Sequence, residues 1–154
     1  MQLRKAVRAD APALTDLINL AFRTERFFVD TDRITLKQVE DHFDKGEFFV
    51  LEEEAALAGC VYVEPRGERA YFGLLSIDPA CQRAGLGGRL VAAAEERGRD
   101  QGCAHMDILT VNLRAELPPY YRKLGYVETG TAPFPADTPT KVPCHFVRMS
   151  KALR

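Results

Sequence analysis

The 154-residue sequence lacks any apolar run of the roughly 18 residues that a membrane-spanning helix needs. It also lacks an excess of charge of either sign, because 21 basic and 22 acidic residues leave a formal net charge of -1. A chain this close to neutral offers no electrostatic reason to bind nucleic acid or an acidic membrane. The first residues do not form the apolar core of a secretion signal, so we expect a cytoplasmic protein.

Cysteine motifs that bind metals or carry redox chemistry are also missing. The four cysteines are Cys60, Cys81, Cys103 and Cys144, and no two of them have the Cys-x-x-Cys spacing. Cysteines of cytoplasmic proteins are typically reduced. We therefore predict four free thiols, with no disulfide and no metal site.

The sequence does contain enough apolar residues, 46% of the chain, for the core of one domain that spans residues 1–154. Strands are predicted at residues 3–7, 47–51, 57–63, 69–77, 105–111, 126–130 and 145–150. Helices are predicted after caps at Asp10 and Thr35, at about residues 85–101, and at residues 118–124. Residues 131–143 contain four prolines and are predicted to form a long loop. This order of elements predicts a mixed α/β fold.

A glycine-rich segment follows the apolar strand at residues 69–77. After the break at Asp78-Pro79 come Gln82, Arg83, Ala84, Gly85, Leu86, Gly87 and Gly88, which lead into the third predicted helix. The free N–H groups and the dipole of a helix start attract anions, and glycine lets a bulky phosphate approach the backbone. The segment therefore predicts a site for a diphosphate-bearing ligand, with Arg83 and Arg89 as candidate charge partners.

Two other nucleotide-binding motifs do not fit this segment. A dinucleotide fingerprint requires Gly-x-Gly-x-x-Gly, and the phosphate loop of nucleotide hydrolases requires Gly-Lys-Ser/Thr, whereas Gly88 is followed by Arg89. A strand-to-helix turn that binds no ligand is the remaining alternative. Three glycines at a helix start cost backbone entropy that such a turn does not require, which favours the ligand site.

The strand, the Asp-Pro break, the Gln-x-x-Gly-x-Gly loop and the helix resemble the acetyl-coenzyme A motif of the GNAT family of N-acetyltransferases. The resemblance continues with Asn112 and with Tyr121-Arg-Lys-Leu-Gly125-Tyr126, and it covers nearly the whole chain. It implies a mostly antiparallel central sheet that is flanked by helices. It also implies that the sheet splays between the strands at 69–77 and 105–111, with the pantetheine arm of acetyl-coenzyme A in the gap.

Individual residues acquire expected roles from this resemblance. Backbone groups of Leu75 and Ile77 would polarise the thioester carbonyl, and Tyr121 would act as the general acid beside the cofactor sulfur. A packed core aromatic is the alternative for Tyr121, and Tyr120 is expected to point elsewhere. The complete predicted cofactor-binding set is Leu75, Ile77, Gln82, Arg83, Ala84, Gly85, Leu86, Gly87, Gly88 and Asn112, without a metal.

The sequence does not identify a general base. The candidates are Glu25, Glu64, Glu68, His105 and His145, and bulk water acting through ordered molecules is a further route.

The predicted function is transfer of an acetyl group from acetyl-coenzyme A to a primary amine of a small molecule, peptide or protein, by direct attack on the thioester. The alternative is a non-catalytic acyl-coenzyme A sensor on the same fold. We expect residues 23–33 and 131–143 to select the acceptor. The oligomeric state is left open between a monomer and a homodimer.

Overall fold

The computed structural model describes residues 1–82 and 85–154. The predicted cofactor contacts of Arg83 and Ala84 therefore lie outside the described residues. The strands in the described ranges are β1 (Gln2–Lys5), β2 (Glu47–Glu53), β3 (Ala56–Arg66), β4 (Arg69–Ile77), β5 (His105–Val111), β6 (Val127–Pro133) and β7 (His145–Ala152). They form one sheet in the order β1-β2-β3-β4-β5-β7-β6.

The helices are α1 (Ala11–Ala21), α2 (Leu36–Phe43), α3 (Leu86–Asp100) and α4 (Leu117–Lys123). Their apolar faces contribute to two core clusters. Residues of α1 and α2 belong to one cluster, and residues of α3 and α4 belong to the other. The predicted mixed α/β fold with flanking helices is confirmed. Within the described residues, no helix combines the length and the apolar character needed to cross a membrane.

The sheet separates between β4 and β5, as the sequence predicts. All neighbouring strands pair antiparallel except β4 and β5, which pair parallel. In the described part of the chain this parallel ladder consists of three pairs, which join Arg69 to His105, Ala70 to Met106 and Tyr71 to Asp107. Beyond them the two strands diverge, so the edge of β4 that faces β5 is left without a neighbouring strand over residues 72–77.

A β-bulge in β4 changes which side chains face this gap. The register between β3 and β4 shifts between Cys60 and Tyr62, and Leu74 has a φ of 56°. Because the bulge interrupts the alternation of the strand, Leu74 packs in the α1/α2 cluster, whereas Leu75 packs against the α3/α4 cluster. The bulge thus places Leu75 and Ile77 on the α3 side of the sheet.

Two local predictions are wrong. Asp10 stands at the cap position of α1, but its carboxylate pairs with Arg4 and accepts the Val7 N–H at 2.8 Å instead of capping the helix. The predicted loop at 131–143 begins too early, because Thr131 pairs with Val147 and β6 continues to Pro133. The predicted cap of α2 at Thr35 is confirmed: Thr35 Oγ1 accepts the Gln38 N–H at 3.2 Å.

Candidate active site

A cavity of about 750 Å³ opens where β4 and β5 separate. Its walls come from β4, β5, α4, the segment after α1 and the first turn of α3. Five residues of the predicted site line it: Leu75, Ile77, Gln82, Gly87 and Tyr121. The fold therefore brings together residues that are up to 46 positions apart in the sequence, while their individual roles stay predictions.

The start of α3 forms one end of this cavity. Gly85 takes a left-handed φ of 91°, and the first helical bond runs from the Arg89 N–H to the Gly85 oxygen at 3.0 Å. A helix that begins in this way leaves its first N–H groups without partners inside the helix. Since Gly87 lines the cavity, the positive end of the α3 dipole lies at its wall.

The glycines at this helix start serve different purposes. Gly85 is required by its positive φ. A Cβ at Gly87 would lie 2.6 Å from the Tyr120 hydroxyl oxygen, so a larger residue there would require the Tyr120 ring to move. A Cβ at Gly88 would meet no described atom within 4 Å. Contacts among the described residues therefore do not explain the glycine at position 88.

Tyr121 contributes to both the core and the cavity. It is 7% exposed, and its ring lies 6.0 Å from the rings of Phe72 and Tyr126. Burial raises the pKa of Tyr121, and the positive charge of Arg114 partly opposes this rise. The phenol is therefore protonated at neutral pH and able to donate its proton. No residue in the described ranges forms a hydrogen bond with its hydroxyl group.

One expectation, for Tyr120, is wrong, and a second, for Asn112, stays a prediction. Tyr120 does not point elsewhere, because it lines the same cavity as Tyr121 and its hydroxyl approaches Gly87. The Asn112 side chain is engaged in the sheet: its Oδ1 accepts the His145 N–H at 2.8 Å. Asn112 therefore holds the start of β7 against the end of β5, and its cofactor contact stays a prediction.

A group of charged side chains that the sequence did not single out lies in the wall of the cavity. Glu25 Oε2 is 3.3 Å from Arg114 Nη1, and Arg114 Nε is 2.8 Å from Glu116 Oε2. The Glu25 and Arg114 side chains are only 14% and 18% exposed. Burial raises the pKa of the Glu25 carboxyl, and Arg114 opposes that rise. Neither Arg114 nor Glu116 was predicted, because nothing in the local sequence shows that α1 ends beside them.

The other candidate bases lie elsewhere. Glu64 is bonded to Tyr62 and Arg66, outside the cavity. Among the described residues, Glu25 is the one candidate that lines the cavity, since Glu68, His105 and His145 are not part of its wall.

Thr110 is a further cavity residue that sequence reasoning missed. It is 3% exposed, and its buried hydroxyl has no hydrogen-bond partner in the described part of the chain. It shares the face of β5 that carries Met106 and Ile108, both members of the core cluster with Tyr121. A threonine in an apolar strand looks like a core residue, so only the structure reveals the unpaired hydroxyl.

Comparisons with known proteins agree with this geometry. Residues 20–153 match the acetyltransferase (GNAT) domain family. The blasticidin-S acetyltransferase of Streptomyces morookaense is 31% identical over 96 residues, which cover 62% of this chain and 67% of that protein.

Solved structures share the whole fold. The ribosomal-protein-alanine N-acetyltransferase of Brucella melitensis has a TM-score of 0.79 at 19% identity, with 99% of each chain covered. An aminoglycoside 6'-N-acetyltransferase in complex with coenzyme A has a TM-score of 0.77 at 16% identity, with 100% of this chain and 98% of that chain covered. The resemblance found in the sequence is confirmed, and the chain belongs to the GNAT family of N-acetyltransferases.

Proposed function

We propose that the protein transfers the acetyl group of acetyl-coenzyme A to a primary amine of a small molecule, by direct attack of the amine on the thioester. One observation carries this proposal. A single cavity joins the start of α3, the open edge of β4 and the buried hydroxyl-bearing ring of Tyr121. These three features suit, in that order, binding of a diphosphate, polarisation of a thioester carbonyl and protonation of the departing sulfur.

The described residues suit such a cofactor. The diphosphate is assigned to residues 82–88, because the first N–H groups of α3 lack partners inside the helix and a Cβ at Gly88 would meet no described atom within 4 Å. Arg89 is exposed at the same helix start and supplies a positive charge. The pantetheine arm is assigned to the open backbone of β4 at Leu75 and Ile77, where its amides replace the missing neighbouring strand.

The chemistry follows from what these groups can donate. Backbone N–H groups of β4 polarise the thioester carbonyl and stabilise negative charge on its oxygen. Tyr121 donates its proton to sulfur as the carbon–sulfur bond breaks, because the raised pKa keeps the phenol protonated. Among the described residues, no group of three or more His, Cys, Asp or Glu side chains is arranged to hold a metal ion.

The acceptor amine enters beside residues 23–33 and 131–143, the two segments that the sequence predicts to select the acceptor. Those segments are joined, because the Lys141 N–H donates to the Phe28 oxygen at 2.8 Å and Lys141 Nζ lies 3.0 Å from Asp30. Phe134 adds an aromatic contact, with its ring 6.4 Å from that of Phe28. The relative from Streptomyces morookaense is named for a small-molecule substrate, blasticidin S, which favours a small-molecule amine here as well.

Thiol release from acetyl-coenzyme A tests the function. The acceptors are blasticidin S, an aminoglycoside, a simple alkylamine and a peptide with an N-terminal alanine. We expect release of coenzyme A with at least one small-molecule amine and formation of its amide by mass spectrometry. Turnover with the peptide alone would reassign the acceptor class, and binding of acetyl-coenzyme A without transfer to any amine would overturn the proposed reaction.

Calorimetry tests where the cofactor binds. Gly87→Val should weaken coenzyme A binding, because the added side chain enters the space between the helix start and Tyr120. Gly130→Val is the matched control, since Gly130 lies on β6 and a Cβ there meets no described atom within 4 Å. Equal affinities of a folded Gly87→Val variant and the wild type would show that the diphosphate binds elsewhere.

A further inference from the structure

We propose that Glu25 binds the ammonium group of the acceptor and takes its proton, and that Arg114 is the positioning residue that holds the Glu25 carboxylate. This inference rests on the proposed function and adds the general base that the sequence leaves open. It also defines the acceptor as an amine that arrives in its cationic form.

The backbone around Glu25 is fixed by a tight turn after α1. The Glu25 carbonyl accepts the N–H groups of Phe28 at 3.1 Å and Val29 at 3.0 Å. Its side chain lines the cavity, and Oε2 contacts Arg114. The second carboxylate oxygen, Oε1, has no hydrogen-bond partner within residues 1–82 and 85–154. It is therefore free to accept a hydrogen bond from an incoming ammonium group.

Arg114 contacts two carboxylates and lies closer to one of them than to the other. Its distance to Glu116, 2.8 Å, is shorter than its distance to Glu25, 3.3 Å. The Glu116 side chain is 63% exposed, whereas the Glu25 side chain is only 14% exposed. Glu25, Arg114 and Glu116 carry two negative charges and one positive charge, and Arg33 is a second cation that acts on Glu25. The Thr110 hydroxyl, which has no partner among the described residues, adds a second polar group to the same cavity.

The environment of Glu25 makes it a better base than an exposed glutamate. Burial is the main cause that raises its pKa, and the negative charge of Glu116 adds to the rise. Arg114 and Arg33 are the cations that oppose it. A carboxylate with a raised pKa holds a transferred proton more readily, which is what removal of a proton from an alkylammonium requires.

The proton balance of the reaction closes with Glu25 and Tyr121. Glu25 takes one proton from the ammonium, and the neutral amine forms a carbon–nitrogen bond to the acetyl carbon. The carbon–sulfur bond breaks and its electron pair stays on sulfur, which receives the Tyr121 proton. Tyr121 regains a proton from the new amide nitrogen through solvent, and Glu25 releases its proton to water. One ammonium and one thioester thus give one amide, one thiol and one free proton.

The test is the pH dependence of Glu25→Gln with an alkylamine acceptor that the wild type acetylates. At neutral pH kcat/KM should fall on the order of 10²-fold, while coenzyme A affinity and the unfolding midpoint stay near the wild-type values. The deficit should shrink as the pH rises, because solution then supplies the amine already neutral. Glu64→Gln is the control, since Glu64 is similarly buried at 16% exposure but lies outside the cavity.

A second variant tests the role of Arg114. Arg114→Gln removes a charge that lowers the Glu25 pKa, so the acidic limb of the kcat/KM profile should move to higher pH. This shift can be measured even where Glu25→Gln fails to fold. Wild-type activity of Glu25→Gln across the pH range, a deficit that does not change with pH, or an unmoved acidic limb in Arg114→Gln would overturn the inference. A wild type that binds coenzyme A without acetylating any amine would instead overturn the proposed function.

Discussion

The hydroxyl groups of two buried tyrosines, Tyr121 and Tyr126, are used in opposite ways. Tyr126 donates to Glu95 Oε2 at 2.7 Å, and Lys151 Nζ lies 3.1 Å from the same carboxylate. The Tyr121 hydroxyl has no such bond among the described residues, although its ring is also packed in the core. A buried tyrosine whose hydroxyl is not needed for the fold is free to act on a ligand.

Tyr121→Phe should therefore leave stability nearly unchanged and lower kcat on the order of 10²-fold, with little effect on coenzyme A affinity. Tyr126→Phe should do the reverse: it removes a hydrogen bond to a buried carboxylate and should cost roughly 1.5–3 kcal/mol of unfolding free energy. Tyr120→Phe should change kcat much less than Tyr121→Phe. Urea unfolding and steady-state kinetics distinguish these variants. Full turnover of Tyr121→Phe, with chemistry shown to be rate-limiting, would make the ring merely structural.

Thr110→Val should stabilise the free protein, or leave its stability unchanged, because it removes a buried hydroxyl that has no partner among the described residues. It should at the same time reduce the rise in melting temperature that saturating acetyl-coenzyme A produces. Thr15→Val is the control, since Thr15 Oγ1 donates to the Ala11 oxygen at 2.8 Å and its loss should be destabilising. If Thr110→Val destabilised the free protein as much as Thr15→Val, the hydroxyl would have a structural partner and no ligand role.

At the scale of elements, the decisive feature is the bulge of β4. Strict alternation would place Phe72 and Leu74 on one face of the sheet, but the bulge sends them to different core clusters. The apolar pattern predicts the strand at residues 69–77 correctly and cannot reveal this change of face. Phe72 and Leu74 are both hydrophobic, so either face of the sheet could bury each side chain. The register with β3 decides the outcome, and that register is a tertiary property.

Leu74→Ile tests whether the bulge is strained. Leu74 has a φ of 56°, a region that β-branched residues strongly avoid. Although the change conserves volume, it should cost roughly 1–3 kcal/mol through backbone strain in addition to repacking. Leu51→Ile, at a fully buried position of β2 whose φ is not positive, should cost less than about 1.5 kcal/mol. Equal unfolding free energies of the two variants would show that the φ of Leu74 imposes no penalty.

At the scale of the whole molecule, motifs and long-range contacts differ in how far they could be predicted. The proposed diphosphate loop and the Tyr121 helix are short segments, so their spacing is visible in the sequence. The cluster of Glu25, Thr110 and Arg114 is not visible in the sequence, because it forms only when the segment after α1 meets the end of β5. Glu25 could be named as one candidate base among several, and its place in the cavity wall is what distinguishes it.

Thiol reactivity offers a test that needs no mutation. All four cysteines are free thiols; Cys60 and Cys103 are buried, whereas Cys81 and Cys144 are partly exposed. Burial raises the pKa of Cys60 to about 12, so little thiolate forms at neutral pH. A disulfide reagent should therefore modify Cys81 and Cys144 quickly and the other two only after slow opening, with four groups titrated in denaturant.

Acetyl-coenzyme A should change this pattern at one position. Cys81 directly precedes Gln82, which lines the cavity at the start of the proposed diphosphate site. Bound cofactor should slow modification of Cys81, whereas Cys144, in the segment before β7, serves as the internal control. Peptide mapping by mass spectrometry identifies which thiol has reacted. Because acetyl-coenzyme A has no free thiol, it does not consume the reagent. Equal slowing of both cysteines would indicate a general tightening of the protein, and unchanged Cys81 reactivity at saturating cofactor would argue against a diphosphate beside Gln82.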